Sequence, residues 1–433
     1  MHTPEPTGID LSRFDADALA QLSAGAPAAV RAQRAAAFEL FSALPVPAAR
    51  DEEWRHSPAK LFPLADFQLA ASPRASNAAQ TADGRDDFDA VIEIGDELFN
   101  IQNRSASLGI LPLAEALATL PANVLTTKRK FAALGQAFWT AGFFIRARAG
   151  APVRLLVNWR FTADGKLHVP RLVVAVEPDA QLILVERFQG LETETASFSK
   201  DWKSETALAV IGAHEFHVGE GAKLERVALH EWSASTLCIA EDATVVAGRG
   251  RADWVTAVLG GRAVKLAAGC DVAGAGAVAH LSGLYFAGGT QHVDQRTVQR
   301  HSSPDTTSHL LYKGAVRDQS HSIYQGLIQA ARGAVRVDAY QMNRNLVLNE
   351  GARADSLPAL EIDADDLKCS HGSATGSLDP EQIFYLRARG IAEAEARRLL
   401  IAAYFEEVIG KVSHAGVQDR LRAAVAQKME TLS

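Results

Sequence analysis

Three stretches of this chain repeat one pattern, and that repeat limits the fold more than any other feature. LVVAVEPDAQLILVE (172–186), HEFHVGEGAKLERVA (214–228) and STLCIAEDATVVAGR (235–249) each alternate apolar and polar positions, break at a short acidic or glycine turn, place an alanine, and alternate again. The aligned alanines are Ala180, Ala222 and Ala243, separated by 42 and 21 residues. A strand-rich repeat of that kind is the mark of a solenoid, in which one coil cannot bury its own face and stacked coils build a continuous core. Small alanines at the turn let successive coils approach closely. The competing arrangement is an antiparallel sandwich, whose strands recur every ~8–12 residues.

Alternation dominates from about 150 to 365, punctuated by Gly260–Gly261, Gly274, Gly276 and Gly288–Gly289, and runs on through HSIYQGLIQAARGAVRVDAYQMNRNLVL (321–348). The flanks differ. Residues 1 to about 65 are alanine-rich, with helical pattern in 17–22 and 30–44 that Pro45 and Pro47 end. Residues 71–86 are small and polar and read as a linker. Segments 112–118 and 130–140 look helical, and 142–147 looks like a strand. Helix returns at Asp379, a good N-cap followed by Pro380. Ile383, Phe384 and Leu386 are expected to face inward and Gly390 to end that helix. A second helix from near Ala392 puts Ala396, Leu399, Leu400, Ala403 and Tyr404 on one stripe, and a last one spans about 418–428. The stripe of this hairpin needs a partner, either the solenoid end or another protein.

The expected fold is therefore mainly β: a right-handed parallel β-helix (β-solenoid) core over 151–372. It is flanked by an N-terminal helical and mixed region (1–150) and a C-terminal helical domain (373–433).

With 433 residues, 48% of them apolar, the chain can bury a large core. A net charge of -7 gives no basic field for nucleic acid. No stretch of about 18 residues is apolar enough to span a membrane, and MHTPEPTGIDLSRFD lacks the basic-then-apolar pattern of a leader. Three cysteines, Cys238, Cys270 and Cys369, are too few and too scattered for a disulfide framework and fit a reducing cytosol. There is no CxxC, no GxxxxGK[ST] phosphate loop, no GxSxG and no HExxH, so no self-contained cluster, nucleotide or hydrolase site is visible. A solenoid lyase would need carboxylates and cations converging on one face, and a left-handed-helix acyltransferase would need hexapeptide repeats; neither pattern is present.

The sharpest local feature is Lys368–Cys369–Ser370–His371–Gly372. On a strand, Cys369 and His371 point to the same face, a pairing suited to a soft metal or cluster. Two ligands fall short of the four a cluster normally takes, so a second chain must supply the others. His280, His292, His301, His309 and His321 crowd the preceding region. They could stack into a metal-affine patch, but individually they read as ladder or surface positions. Cys238 (TLCIA) and Cys270 (AAGCDVAG) read as packing residues.

Four segments resemble one family. ARDEEWRHSP (49–58) resembles the Glu-Glu-Trp-Arg entry motif of the SufB/SufD family, and KFAALGQAFWTAGFFIRARAG (130–150) resembles its Ala-Phe-rich lead into the solenoid. DQRTVQRHSSPDTTSHLLYKGAVRDQSHSIYQGLI (294–328) and DDLKCSHGSATGSLDPEQIFYLRARGIAEAEARRLL (365–400) are similar to its most specific stretches. Within the family the chain resembles the SufD branch. It is short, it lacks an N-terminal Cys-rich motif, and it reads Lys-Cys-Ser-His-Gly-Ser where SufB usually has a Glu-His-Glu-Ala form.

The resemblance implies a scaffold in iron–sulfur cluster assembly without an enzyme active site of its own. Such a subunit pairs with a SufB-type subunit through the solenoids and binds the SufC ATPase through the C-terminal hairpin. It carries no stably bound cofactor: ATP belongs to SufC, and the nascent Fe–S cluster forms transiently at the interface. His371 is then the ligand on this side, with Cys369 its neighbour. Phe384, Tyr385, Leu386, Arg387, Arg398, Leu399 and Tyr404 are the docking residues. Complexes of the family have been associated with a reduced flavin, but no residue here supports a flavin site. Self-pairing through the same solenoid surface is the expectation when SufB is absent.

Overall fold

A computed structural model describes residues 9–76, 87–117, 120, 129–192 and 203–430. Most of the expected linker at 71–86 lies outside the described residues. About 45% of the chain is strand, wound into a parallel β-solenoid of about 8 turns with helices at both ends.

The N-terminal part contains α1 (Ala16–Leu22), α2 (Ala28–Ala43), the short α3 (Leu113–Ala116) and α4 (Lys130–Phe138). Its strands are β1 (Gln68–Leu69), β2 (Arg74–Ala75), β3 (Ala90–Ile94), β4 (Leu98–Asn103), β5 (Leu108–Pro112) and β6 (Ala141–Ala147). Next come β7 (Val153–Thr162), β8 (Lys166–His168), β9 (Pro170–Val176) and β10 (Gln181–Leu191). The strands before residue 150 are continuous with the solenoid: β3 pairs in parallel with β7, and β6 with β9.

From there the chain alternates between two sheets. One receives β11 (Ala209–Val218), β13 (Leu237–Val246), β15 (Ala263–Val272), β17 (His292–His301), β19 (His321–Ala330) and β21 (Arg353–Ile362). The other receives β12 (Lys223–Glu231), β14 (Arg251–Val258), β16 (Val278–Ala287), β18 (Thr307–Val316), β20 (Val337–Val347) and β22 (Leu367–Gly376).

The coil is longer than the alanine spacing suggested. Successive strands of the first sheet are offset by 28 (Ala209 to Leu237), 26 (Leu237 to Ala263), 29 (Ala263 to His292), 29 (His292 to His321) and 32 residues (His321 to Arg353). Ala180 and Ala222 are true equivalents, each just ahead of the paired residues Gln181 and Lys223. Ala243 is not. It lies mid-strand in the opposite sheet, facing outward opposite Glu215 and Gly269.

What repeats through six successive coils, up to β20, is a turn residue in the left-handed region. Asp179 (φ 59), Gly221 (φ 65), Arg249 (φ 54), Gly276 (φ 70), Asp305 (φ 59) and Arg336 (φ 55) all precede the strand that enters the second sheet. That conformation costs an L-residue roughly 1–2 kcal/mol, least for Asp, Asn and Gly, which explains the acidic-or-glycine turn. A stack of residues at the next position, Ala180, Ala222, Gly250, Ala277, Thr306 and Val337, follows from the registers.

Helices cover part of each outer face. Phe14 from the turn before α1, Phe38 and Phe41 from α2 and Phe138 from α4 form an aromatic cluster whose contacting ring centroids lie 5.1–6.4 Å apart. It packs against Leu237, Ile239 and Ala263 of the first sheet. At the other end α5 (Pro380–Ala388), α6 (Glu393–Ile409) and α7 (Ala415–Glu430) follow β22. Ile401, Phe405, Val408, Leu421 and Val425 of α6 and α7 pack on Val227, Leu229, Val255, Leu284 and Phe286 of the second sheet. Among the described residues no helix is long and apolar enough to cross a membrane.

Candidate functional site

The site at 368–372 is positioned by the end of the solenoid. Along β20 the odd residues Val337, Ala339, Gln341, Asn343 and Asn345 are buried and line the lumen. β22 stacks on β20 in register, placing Cys369 over Ala339, His371 over Gln341 and Ser373 over Asn343. Cys369 and His371 therefore continue lumen columns on one face, as the Cys-x-His spacing predicted. Among the described residues no further coil covers them. Cys369 is half-buried, resting near Ile328, Val337 and Ala339, whereas His371 is exposed. Partial burial pushes the Cys369 thiol up, so a metal or a cation must draw its proton off before it can ligate. Among the described residues, no three His, Cys, Asp or Glu side chains are arranged to hold a metal ion.

The lumen changes character toward this end. Around β7–β9 it is aromatic and aliphatic and around β10–β12 it also holds the buried Glu186, His214 and Arg226, whereas uncharged polar side chains, Gln295, Thr297, Gln299, His301, Ser308, Gln341, Asn343 and Asn345, fill it near β17–β20. Both amide atoms of Gln341, and Ser356 Oγ, are buried without a hydrogen-bond partner among the described residues. The terminal coil is open in a second sense. β21 ends one sheet and β22 the other, so each presents an unpaired backbone edge. Leu357 (40%), Leu360 (38%) and Ile362 (37%) of β21 are exposed there.

The five crowded histidines do not converge. His280 and His309 stack on the outside of the second sheet, ring centroids 5.6 Å apart, with His280 bonded to Asp253 at 3.0 Å. His292 and His321 are neighbours on the outside of the first sheet, 5.3 Å apart. His301 is inside, bonded to Thr306 and Ser308 at 2.7 Å each. The cysteines of the interior, Cys238 and Cys270, are buried, and desolvation raises both thiols, Cys270 to about 12.

The C-terminal hairpin forms as its caps require. The Asp379 side chain accepts from Glu381 N at 2.9 Å, and Gly390 (φ 86) turns the chain. Its faces differ from the sequence expectation. Phe384 (72% exposed) and Tyr385 (58%) point outward, while Ile383 and Leu386 are half-buried. On α6 the inward stripe is Ala396, Ile401, Phe405, Val408 and Ile409, and Leu399 (44%) faces solvent with Ala403. The buried arc lies about one position along from the expected stripe, because the helical period alone does not say which side of the stripe meets the sheet.

Arg387 pairs with Glu393 at 3.2 Å and Arg398 with Glu395 at 3.4 Å. Tyr404 belongs to an internal seam: its hydroxyl donates to the Arg344 carbonyl at 2.7 Å, and Lys313 donates to its own carbonyl at 2.8 Å. A cleft of about 410 Å³ lies between Val347, Leu348 and the hairpin residues Ile383, Phe384 and Arg387.

Two further clusters escaped sequence reasoning. The Glu-Glu-Trp-Arg segment is a latch. Ser57 Oγ donates to Asp294 at 2.5 Å and lies 3.1 Å from His292 Nε2; Lys265 Nζ donates to the Glu53 carbonyl at 2.8 Å, pairs with Asp294 and sits 4.7 Å from the Trp54 ring. The partners are more than 200 residues away, so only a contact prediction could have linked them. Inside the solenoid, Arg226 bridges Glu186 and Asp242 at 2.6 Å each, with His214 at 3.3 Å from Glu186. Burial opposes the charge on Glu186, but Arg226 and His214 beside it win and hold its carboxyl down to about 2.

Comparison with known proteins agrees with this architecture. The family profile for the SUF system FeS cluster assembly SufBD core domain matches residues 159–404. An iron–sulfur cluster assembly SufBD family protein of Mycobacterium tuberculosis is 40% identical over 50% of this chain and 56% of its own length. The iron–sulfur cluster assembly protein SufD of Escherichia coli is 32% identical over 46% of each chain, and SufB of Bacillus subtilis is 24% identical over 65% of this chain and 58% of its own length. The chain thus spans about half the length of the curated relatives it matches. With the core profile covering more than half of its residues, the chain belongs to the SufBD family of iron–sulfur cluster assembly proteins.

Proposed function

We propose that this chain is a SufD-type scaffold subunit that performs no catalysis of its own and works in the cytoplasm. In this reading its terminal coil pairs with the solenoid of a SufB-type subunit, and α5 and α6 dock a SufC ATPase. The observation that carries the reading is the open last coil. Two unpaired ten-residue strand edges flank a lumen mouth at which Cys369 and His371 stand together, two donors short of a cluster site. A second solenoid laid against those edges would satisfy their backbone groups, cover Leu357, Leu360 and Ile362, and bring the missing ligands. The cluster is cargo assembled at that junction. Phe384, Tyr385 and Leu399 are exposed large apolar side chains of the kind a partner helix or groove covers.

Co-expression of the tagged chain with candidate SufB and SufC subunits, followed by native mass measurement, tests this. A complex of one such chain, one SufB and two SufC is the expected result. A homodimer that takes up neither partner would assign the open edges to self-pairing and overturn the assignment.

A further inference from the structure

The open end of the solenoid is acidic. Residues 350–376, from the corner before β21 to the end of β22, hold six carboxylates, Glu350, Asp355, Glu361, Asp363, Asp365 and Asp366, against two cations, Arg353 and Lys368. Their net charge of -4 is more than half of the -7 carried by the whole chain. All eight are exposed except Asp355, which is bonded to Arg353 and to His321 at 2.9 Å each. Four of the carboxylates crowd the end of β21 and the corner that follows it. Their surroundings do not neutralise them. Glu361 accepts from the uncharged Gln329 at 2.6 Å. Arg336, one coil back, has a carboxylate of its own in Asp305, bonded at 2.6 and 2.7 Å. Counting Arg332 from that corner still leaves the end negative.

This charge surrounds a surface that a partner strand fits. Among the described residues the backbone edges of β21 and β22 are unpaired, and Leu357, Leu360 and Ile362 are exposed beside them. Hydrogen bonds along a strand edge give affinity but little identity, so the edge of a second copy would serve as well as any other. Charge discriminates. A two-fold pairing of identical chains sets a patch against itself, which here presses one acidic end upon another. Paired strands lie about 5 Å apart, inside the screening length of about 8 Å at physiological salt, so the repulsion is felt.

We infer, resting on the interface proposed above, that the charge of the last coil selects its partner: the edges accept a different chain whose own strand edge is basic, and disfavour a second copy of this one. Glu361→Lys, Asp363→Lys and Asp365→Lys together turn the end from acidic to basic at exposed positions, so the melting temperature should hold. Sedimentation velocity of the full chains at about 20 mM and about 1 M salt reads the outcome. The parent alone should stay monomeric at low salt. An equimolar mixture of parent and triple variant should form a one-to-one dimer there, about tenfold or more tighter than either chain pairs with itself, and high salt should erase that preference. Asp17→Lys, Glu39→Lys and Glu115→Lys make the same change in net charge on the N-terminal helices, and that variant should not pair with the parent. Parent dimers at low salt, no dimer in the mixture, a mixed dimer indifferent to salt, or pairing of the parent with the N-terminal variant would each overturn the inference. None of these arms needs SufB. Mixed dimers without SufB uptake would leave the charge rule standing and remove the SufD-type assignment, whereas SufB uptake unaffected by the triple variant would do the reverse.

Discussion

Gln341 and His371 are register partners on adjacent coils, one wholly buried with an unpartnered amide, the other exposed at the solenoid's end. The pair separates stability from function. His371→Ala removes an exposed side chain and should change the unfolding free energy by no more than about 0.5 kcal/mol, while cluster assembly in cells falls. Gln341→Leu replaces a buried, unsatisfied amide with an apolar side chain of similar size and should be neutral or stabilising by ~1 kcal/mol. Denaturant melts of both variants beside a complementation assay check this. Full assembly activity in His371→Ala would remove that histidine from the site.

The outward hairpin face makes the second prediction. Phe384→Asp with Tyr385→Asp adds charge where both rings already meet water, so the melting temperature should hold. Co-purification of the ATPase subunit should be lost. Tyr404→Phe is the contrast: it breaks the bond to the Arg344 carbonyl and should cost ~1 kcal/mol without affecting partner uptake. Unchanged co-purification of the double variant would move the dock elsewhere.

These residues also mark how far the sequence could be read. The shared face of Cys369 and His371 needed only strand parity, and the solenoid needed only alternation broken by recurrent turns. The coil length did not follow, because the turn residue varies among Asp, Gly and Arg and Ala243 imitates the alanine beside it. The five histidines could not be placed, since their faces depend on the register between coils: His280 meets His309 on one sheet and His292 meets His321 on the other. Phe384 reads as inward in the sequence and lies outward in the structure, because a 3.6-residue period locates a stripe but not the surface it meets. The Trp54–Ser57 latch closes on Lys265, His292 and Asp294, contacts that no local pattern encodes.

Buried neutral histidines should make the protein acid-labile well above the range of ordinary carboxylates. Desolvation lowers His230 to about 3 and His301 to about 4, against 6.5 for the free side chain. The unfolded chain therefore takes up protons first as pH falls below about 6.5. The stability these groups contribute is full above that pH and is lost progressively toward their folded values. His301→Gln keeps a polar group near Thr306 and Ser308 but cannot titrate, so it should recover ~1 kcal/mol at pH 5.5 relative to its effect at pH 8. Glu186, held to about 2, acts in the lower window: its contribution is full above about 4.5 and is lost as pH falls toward 2. Melting curves from pH 3 to 8 separate the two; a His301→Gln profile parallel to the parent would contradict the assignment.

The left-handed turn ladder gives the last prediction. Gly276 sits at φ 70 in a column with Arg249 and Asp305, and a Cβ there would meet only Arg249 Cγ at 3.6 Å. Space is therefore available, and the backbone alone decides the outcome. Gly276→Val should lose roughly 1–2 kcal/mol or more, because a β-branched residue resists that conformation, whereas Gly276→Asn should lose much less. Arg249→Gly, which relieves an L-residue at φ 54, should be stabilising by up to ~1 kcal/mol, less the small contribution of its exposed pairing with Glu220. Equal destabilisation by Val and Asn at 276 would show that packing between coils, and not the handedness of the turn, sets the requirement for glycine.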